Sequence, residues 1–151
     1  MDWHFRQDNK ICSFRASGVF IKDGKVLLQR DSKEYALPTV RVRIGETAEQ
    51  SLVREFREAT GLRMTCSRML WVDESLWSCR GKDYHSIVFY FLVESKEDFP
   101  FEKFSSQSTS GSLLLEWADI DSVKDMNIYP EFIKTKITDI SDGIEHFVNI
   151  E

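Results

Sequence analysis

Two carboxylates and a guanidinium lie close together within the segment from Gly45 to Leu62: Arg54, Glu55 and Glu58. At about 100° per residue around a helix, these side chains share one arc with Ser51. Residues three apart on a helix are neighbours, so the carboxylates of Glu55 and Glu58 can converge on one cation. Mg²⁺ takes oxygen ligands and bridges protein carboxylates to substrate phosphates. A bound metal also activates water for attack at phosphorus.

The alternative for this face is a solvated helix surface. Mixed Arg and Glu residues are common on exposed helices, where each ion pair contributes only ~0.3–0.5 kcal/mol. The two readings differ in whether the carboxylates serve solubility or metal binding, and the helix alone leaves both open.

The elements that position these residues can be predicted from local signals. Thr47 is a candidate N-cap with Gln50 three residues later, which is the capping-box spacing, and Gly61 is placed to end the helix. The apolar stripe that would face the core consists of Ala48, Leu52, Phe56 and Ala59.

Strands are predicted on both sides of this helix. Residues 16–21 and 25–29 form a hairpin around Asp23-Gly24, because glycine accepts a positive φ at a tight turn. Further strands are predicted at 62–77, 84–93 and 113–117, with a turn at 78–83, a polar loop at 105–112 and a second helix at 129–140. These elements predict an α/β fold in which helices sandwich a mixed sheet, within one domain spanning residues 1–151.

Composition narrows the class of protein. The chain has 151 residues, of which 42% are apolar and 30% charged, so it can bury a core beneath a polar surface. The net charge of −5 gives no electrostatic reason to expect binding to nucleic acid or to an acidic membrane. Cys12, Cys66 and Cys79 are odd in number and widely spaced, which suits a reducing cytoplasm better than a disulfide framework. The chain also shows no leader-like start and no apolar run of membrane-spanning length, so a cytoplasmic protein is expected.

The region from Leu37 to Leu62 resembles the signature of the Nudix hydrolases. That signature is Gly, five residues, Glu, seven residues, then Arg-Glu-apolar-any-Glu-Glu-any-Gly-apolar. Seven positions of the chain match it at the correct spacing: Glu46, Arg54, Glu55, Phe56, Glu58, Gly61 and Leu62. The Leu-Pro pair before the signature and the Gly-Glu pair within it match as well.

The resemblance implies an α/β/α sandwich that hydrolyses nucleoside diphosphates linked to another moiety, with Mg²⁺ or Mn²⁺ as cofactor. It implies that Glu55 and Glu58 are metal ligands, that Glu55 is also a candidate general base, and that Arg54 orients the glutamates by salt bridges. Glu46 would support the geometry between loop and helix. Arg43 and Glu46 are taken as candidate substrate-binding residues, since a cation at Arg43 can contact phosphate directly.

Three positions depart from the family pattern. Ala59 replaces the second glutamate of the usual Glu-Glu pair, so the helix offers two carboxylates unless another acid such as Glu49, Glu94 or Glu116 contributes. Thr39 and Val40 stand in the loop before the helix, where the family has two glycines. Valine is β-branched and poorly suited to a positive φ, so this loop is expected to take a different path or to carry strain. Arg43 stands where many members carry a glutamate.

Two functions therefore compete. One is a metal-dependent hydrolase of a pyrophosphate bond in a nucleotide derivative, with an altered and weakened site. The other is a Nudix-fold protein that binds nucleotides without hydrolysing them. The substrate class stays open among nucleoside triphosphates, nucleotide sugars and ADP-ribose, as does assembly into a homodimer. Four aromatic residues are candidates for stacking on a base, with core packing as the alternative for each: Trp71, Trp77, Tyr84 and Tyr90.

Overall fold

The computed structural model describes residues 1–97, 104–108 and 111–151. Its strands are β1 (His4–Gln7), β2 (Lys10–Lys22), β3 (Lys25–Asp31), β4 (Glu34–Ala36), β5 (Thr39–Arg41), β6 (Thr65–Cys79), β7 (Lys82–Glu94), β8 (Phe104–Ser108), β9 (Gly111–Asp119) and β10 (Glu145–Ile150). Its helices are α1 (Ala48–Thr60), a 3₁₀ helix (Ile120–Asp125) and the short α2 (Ile133–Lys136).

The strands form one mixed sheet. Along its main path the order is β10-β6-β7-β2-β3-β9-β8, with β1 and β5 paired to β2 and β4 paired to β3. The β6–β7, β2–β3, β3–β9 and β8–β9 pairs are antiparallel, whereas β10–β6 and β7–β2 are parallel. Parallel pairs need crossover connections. The crossover connection between the parallel strands β2 and β7 includes helix α1.

Both predicted tight turns are present. Asp23 and Gly24 have φ values of 52° and 73°, which suits the right-handed twist of the flanking strands β2 and β3. The turn between β6 and β7 is shorter than the predicted 78–83, because the strands continue to Cys79 and from Lys82.

The helices pack on opposite faces of the sheet. Leu52 and Phe56 of α1 belong to one buried cluster, with Ala16 and Phe20 of β2. The other cluster holds Val123 of the 3₁₀ helix and Ile133 of α2 against alternate residues of the same strands, such as Val19. Successive strand residues point to opposite faces, so one run of β2 serves both cores. The predicted sandwich around a mixed sheet is confirmed.

Helix α1 lies close to the sheet at one point. A Cβ added to Gly18 of β2 would come within 3.1 Å of the Phe56 ring, so the ring lies almost directly on the backbone of β2. This contact fixes the height of α1 above the sheet and therefore the position of its polar side.

Two predicted elements are wrong in part. The helix predicted at 129–140 is helical only over Ile133–Lys136. The chain before it is held by the sheet instead, since the Tyr129 N–H donates to the Tyr35 carbonyl at 2.9 Å. The β-branched residues of this segment also have lower helix propensity.

The loop predicted at 105–112 is the second of these. Ser105 pairs with Leu114 and Ser108 with Gly111, so this serine-rich stretch belongs to β8 and β9, apart from residues 109–110, which lie outside the described residues. Pairing with a neighbouring strand outweighs the weak β propensity of the stretch. None of the helices in the described part of the chain is long and apolar enough to span a membrane.

Candidate active site

The residues that cap helix α1 are the predicted ones, Thr47 and Gly61. The Thr47 hydroxyl accepts a hydrogen bond from the Gln50 N–H at 3.1 Å, and the Gln50 side chain accepts one from the Thr47 N–H at 2.9 Å. Gly61 ends the helix in the left-handed conformation at φ 78°. The helix is shorter at both ends than the predicted segment from Gly45 to Leu62, because Gly45 to Thr47 form the turn that leads into it.

Arg54 lies at the centre of the charged cluster. Its Nε donates to both carboxylate oxygens of Glu46, at 3.0 and 3.1 Å. Its Nη1 lies 3.3 Å from Oε2 of Glu55 and 3.3 Å from Oε2 of Glu58. Burial lowers the pKa of Arg54, but the hydrogen bond to Glu46 and the charges of the three glutamates outweigh it and raise that pKa. The guanidinium therefore stays charged and holds the two helix carboxylates at one place.

This polar side is not a solvated surface throughout. Glu55 is only 4% exposed and Ser51 is fully buried. The Ser51 hydroxyl accepts a hydrogen bond from the Arg43 N–H at 3.0 Å, which ties the preceding segment to the helix. A buried carboxylate is costly unless it is paired, so Arg54 stabilises the charge of Glu55.

Arg43 and Glu46, the candidate substrate-binding residues, lie next to each other. Their closest charged atoms, Nε of Arg43 and Oε1 of Glu46, are 3.6 Å apart. Glu46 is shared between Arg43 and Arg54, so its carboxylate is engaged within the protein. Arg43 keeps 38% of its side chain exposed and is accessible to a ligand.

The donor set can be compared with the needs of a divalent cation. Glu55 and Glu58 bring their Oε2 atoms to the same guanidinium nitrogen. Mg²⁺ is bound through one or two carboxylates and keeps several waters, so a pair of this kind fits it. Within the residues that the structure describes, no group of three or more metal-ligating side chains occurs, so a complete protein cage is not formed there.

The missing carboxylate at Ala59 is not replaced by the three acids considered from sequence. Glu94 accepts a hydrogen bond from the Ser67 hydroxyl at 2.5 Å, on strands β7 and β6. Glu116 pairs with Leu28, whose side chain belongs to the core on the face opposite α1. Glu49 is exposed in the first turn of α1. Cross-strand partners share a face, which removes Glu116 from the side where α1 lies.

Thr39 and Val40 do not form the predicted loop. They belong to strand β5, where Val40 pairs with Ala16 and Thr39 with Ser17 of β2. Val40 is 6% exposed and packs in the core beneath α1. Neither residue has a positive φ. Of the two expected alternatives, a different path or strain, the structure shows the different path, because a short strand replaces a backbone that only glycine would favour.

A cleft of about 500 Å³ lies on the sheet face opposite α1. Thr39 lines it, so the segment that leads to α1 begins in the wall of this cleft. Its polar lining includes Arg15, Asp73, Ser75, Ser86 and Asn149. Sequence reasoning missed these residues, although polar side chains at every second position of a buried strand, as at Ser13, Arg15 and Ser17, are the signal of a polar patch.

A buried network crosses the floor of the cleft. Asp73 is fully buried and accepts hydrogen bonds from the Ser75 hydroxyl at 2.5 Å and from the Asn149 amide at 2.6 Å. Burial raises the pKa of Asp73, and these two hydrogen bonds only partly oppose the effect. A second hollow, of about 650 Å³, lies beside the turn between β6 and β7 and contains no residue of α1.

The four candidate stacking aromatics fall into two pairs. Trp71 and Tyr90 are buried in the core, with ring centroids 5.4 Å apart. Trp77 and Tyr84 are cross-strand partners, stacked on each other at 4.9 Å with an interplanar angle of 4°. Trp77 and Tyr90 also line the cleft.

Comparison with known proteins identifies the family. The model of the NUDIX domain matches residues 13–135, whereas no curated protein matches the chain. Among solved structures, a MutT mutator protein from Bacillus halodurans is 19% identical with a TM-score of 0.62, and the match covers 90% of each chain. A NUDIX hydrolase from Nitrosomonas europaea is 20% identical with a TM-score of 0.58, over 84% of this chain and 86% of that one.

A third structure extends the range of named activities. An ADP-ribose pyrophosphatase from Streptococcus suis is 13% identical with a TM-score of 0.52, over 91% of this chain and 98% of that one. At these identities the solved structures establish the shared fold, and the domain match covers most of the sequence. Together with the charged cluster on α1, the domain match shows that the chain belongs to the Nudix family.

Proposed function

We propose that this protein hydrolyses a pyrophosphate bond in a nucleoside diphosphate derivative, with Mg²⁺ or Mn²⁺ as cofactor. The observation that carries the proposal is the convergence of Glu55 and Glu58 on one nitrogen of Arg54. These are the positions at which the family signature has its metal ligands. Family membership supports the reaction class, since Nudix hydrolases generally use a divalent metal.

Glu55 and Glu58 would hold the metal, which, when bound, neutralises phosphate charge and lowers the pKa of a coordinated water. Glu55 is the candidate general base. It takes a proton from the attacking water as the new bond to phosphorus forms and the bond to the bridging oxygen breaks, so that two phosphate-bearing products leave.

Arg54 is a positioning residue for this step. It fixes the two carboxylates by charge-assisted hydrogen bonds, and Glu46 in turn fixes Arg54 through both of its oxygens. Arg43, which is partly exposed beside Glu46, is the cation available to a substrate phosphate. The remainder of the nucleotide would occupy the cleft that begins at Thr39.

A second function is favoured by specific observations. Ala59 removes one carboxylate from the helix, and none of Glu49, Glu94 and Glu116 takes its place. Val40 fills the core with a side chain where the family pattern has glycine. A protein with these two changes would keep the fold and the cleft while losing metal affinity, and would then bind nucleotides without hydrolysing them.

The experiment that separates the two functions is a hydrolysis screen. Wild-type protein is incubated with Mg²⁺ or Mn²⁺ and a panel of nucleoside triphosphates, nucleotide sugars and ADP-ribose, and the release of monophosphate products is measured. Glu55→Gln should lower the rate by at least a hundredfold, as expected for loss of a general base. Metal-dependent turnover that survives Glu55→Gln would contradict the role of Glu55.

Ala59→Glu tests whether the site is a weakened version of the usual one. A third carboxylate should tighten Mn²⁺ binding on the order of tenfold, because affinity follows the number of charged ligands. Ala59→Gln is the matched control, since it adds the same bulk without charge. Thermal stabilisation by a nucleotide with no turnover in either wild type or Ala59→Glu would favour the binding function.

A further inference from the structure

Arg15 faces the cleft from the middle of the sheet. In register it lies between Arg41 of β5 and Val88 of β7. Cross-strand partners project to the same face, so the two arginine side chains leave the sheet side by side, on the face opposite α1. Arg15 lines the cleft itself.

His4 lies beside these two arginines and is uncharged at neutral pH, because its pKa lies below the ordinary value of 6.5. It pairs with Ser13, two residues before Arg15 on the same face of β2. Burial lowers the pKa of His4, the neighbouring charges of Arg41 and Arg15 lower it further, and the charge of Asp2 partly opposes them. The ring is therefore close to both guanidinium groups. We refer to His4, Arg15 and Arg41 as the basic patch.

The two guanidinium groups of the basic patch have no ion pair in the described part of the chain, whereas the carboxylate of Asp2 acts on His4. Nε of Arg15 is buried and has no hydrogen-bond partner, and no carboxylate there forms an ion pair with Arg15 or Arg41. Burial lowers the pKa of Arg15, and so does the charge of Arg41. Placing an unpaired guanidinium there reduces stability, so the position is unfavourable for folding alone.

The acids of the cleft lie elsewhere. Asp73 of β6 is separated from Arg15 of β2 by strand β7. At the ordinary spacing between strands, their backbones are about 10 Å apart. Its two oxygens already accept hydrogen bonds from Ser75 and Asn149. Glu34 and Glu151 also line the cleft, and neither pairs with Arg15. Among the described residues that line the cleft, Arg15 is the one basic side chain, and the acids lie on either side of it, Glu34 on β4 and Asp73 on β6.

We propose that the basic patch, with Arg15 as its central residue, binds an anionic oxygen group of the small molecule that occupies the cleft. A guanidinium fork matches the geometry of phosphoryl and carboxylate groups, which share this recognition chemistry. The group lies outside the pyrophosphate handled by α1, because the basic patch and α1 are on opposite faces of the sheet. Treating the molecule as the substrate rests on the proposed function, whereas binding of the anion does not.

The test uses the full chain in the presence of EDTA, so that no metal-bridged binding at α1 contributes. Binding of inorganic phosphate, pyrophosphate and malonate is measured by calorimetry for wild type and Arg15→Met. Arg80→Met is the matched control, an exposed arginine in the turn between β6 and β7. We expect Arg15→Met to weaken anion binding at least tenfold, and Arg80→Met to leave it unchanged.

A stability measurement separates a binding role from a structural one. Arg15→Met should raise the urea midpoint, because it removes a half-buried unpaired charge and its repulsion from Arg41. A structural arginine would give the opposite result, and a lower midpoint would count against the proposal. A preference for phosphate or for malonate would assign the group as phosphoryl or carboxylate.

The outcomes also distinguish this site from the proposed hydrolysis. Anion binding that depends on Arg15 in a protein without turnover would leave the basic patch standing and remove the hydrolase. If wild type hydrolyses nucleotides but Arg15→Met binds anions as tightly as wild type does, the anion site at the basic patch is overturned and the hydrolase is not. Absence of binding by all three anions to wild type would overturn it as well.

Discussion

The backbone of Val40 pairs with that of Ala16 as neighbours in an antiparallel ladder. This pairing places the Val40 side chain in the core beneath α1, at a position where the family signature has glycine. The segment before the helix is therefore supported by the sheet from below, and by the hydrogen bond from the Arg43 N–H to Ser51 from the side. The approach to α1 is a packed strand followed by a short turn.

We expect Val40→Gly to destabilise the protein, although it restores the family residue. It removes a buried side chain and adds backbone freedom, for a loss of about 2–4 kcal/mol in the free energy of unfolding. Urea denaturation measures it. Ile44→Gly in the same segment is the control, because Ile44 is 43% exposed and should lose less. An unchanged unfolding free energy for Val40→Gly would contradict the packing described above.

Among the charged residues of α1, replacing Arg54 should lower the stability of the protein most. Arg54→Ala leaves Glu55 buried without its ion pair to Arg54 and sets it beside Glu58, for an expected loss of about 3 kcal/mol. Arg57→Ala, an exposed arginine of the same helix, should change stability by less than about 0.5 kcal/mol. Chemical denaturation of both variants gives the comparison.

A metal titration of Arg54→Ala adds a readout that a purely structural role would not produce. If Glu55 and Glu58 form a cation site, Mn²⁺ should restore part of the lost stability, because the metal replaces the missing positive charge. In the triple variant Arg54→Ala, Glu55→Gln, Glu58→Gln, Mn²⁺ should restore none of the lost stability. Equal recovery in the combined variant would place the ion somewhere else.

The sequence was sufficient where structure is determined locally. The caps of α1, its apolar stripe and the Asp23-Gly24 turn depend on residues within a few positions of each other, and each was predicted from them. The cluster around Arg54 was located for the same reason, since it lies within one helix and the turn before it.

The rest depends on pairing between distant segments. The final strand β10 is parallel to β6, about seventy residues earlier in the chain, and no local pattern specifies such a partner. The same holds for β8, which reads as a polar loop until its partner is known. The cleft combines Arg15, Asp73 and Asn149 from three strands far apart in sequence, so only the fold could bring them together.

Asp73 should make stability depend on pH. Its pKa in the folded protein lies above the ordinary value of 3.8, with burial as the main cause. Between these two values the folded state binds more protons than the unfolded state, so stability falls as pH rises through this window. Above the raised pKa the loss is complete. Asp73→Asn should remove this slope, because an amide at position 73 does not titrate there.

The measurement is the urea midpoint of wild type and Asp73→Asn from about pH 4 to about pH 8, and the quantity of interest is their difference. Asp83→Asn is the control. Hydrogen bonds from Ser78 and Lys10 lower the pKa of this exposed carboxyl below 3.8, so its contribution is complete throughout the measured range and the difference between wild type and Asp83→Asn should stay constant. A difference between wild type and Asp73→Asn that is constant over this range would show that Asp73 ionises normally.

Cys66 should be protected from alkylation in the folded protein. Burial, and to a smaller extent the nearby charge of Glu49, raise the pKa of its thiol to about 12. The thiolate is the reactive form, and its population is negligible at about pH 8.

Cys12 and Cys79 are exposed. Iodoacetamide should therefore add to these two cysteines and spare Cys66, with all three modified in concentrated urea, as counted by mass spectrometry of the intact chain and its peptides. Rapid labelling of Cys66 before unfolding would show that the contact between the end of α1 and β6 opens in the native state, since Cys66 packs against that core.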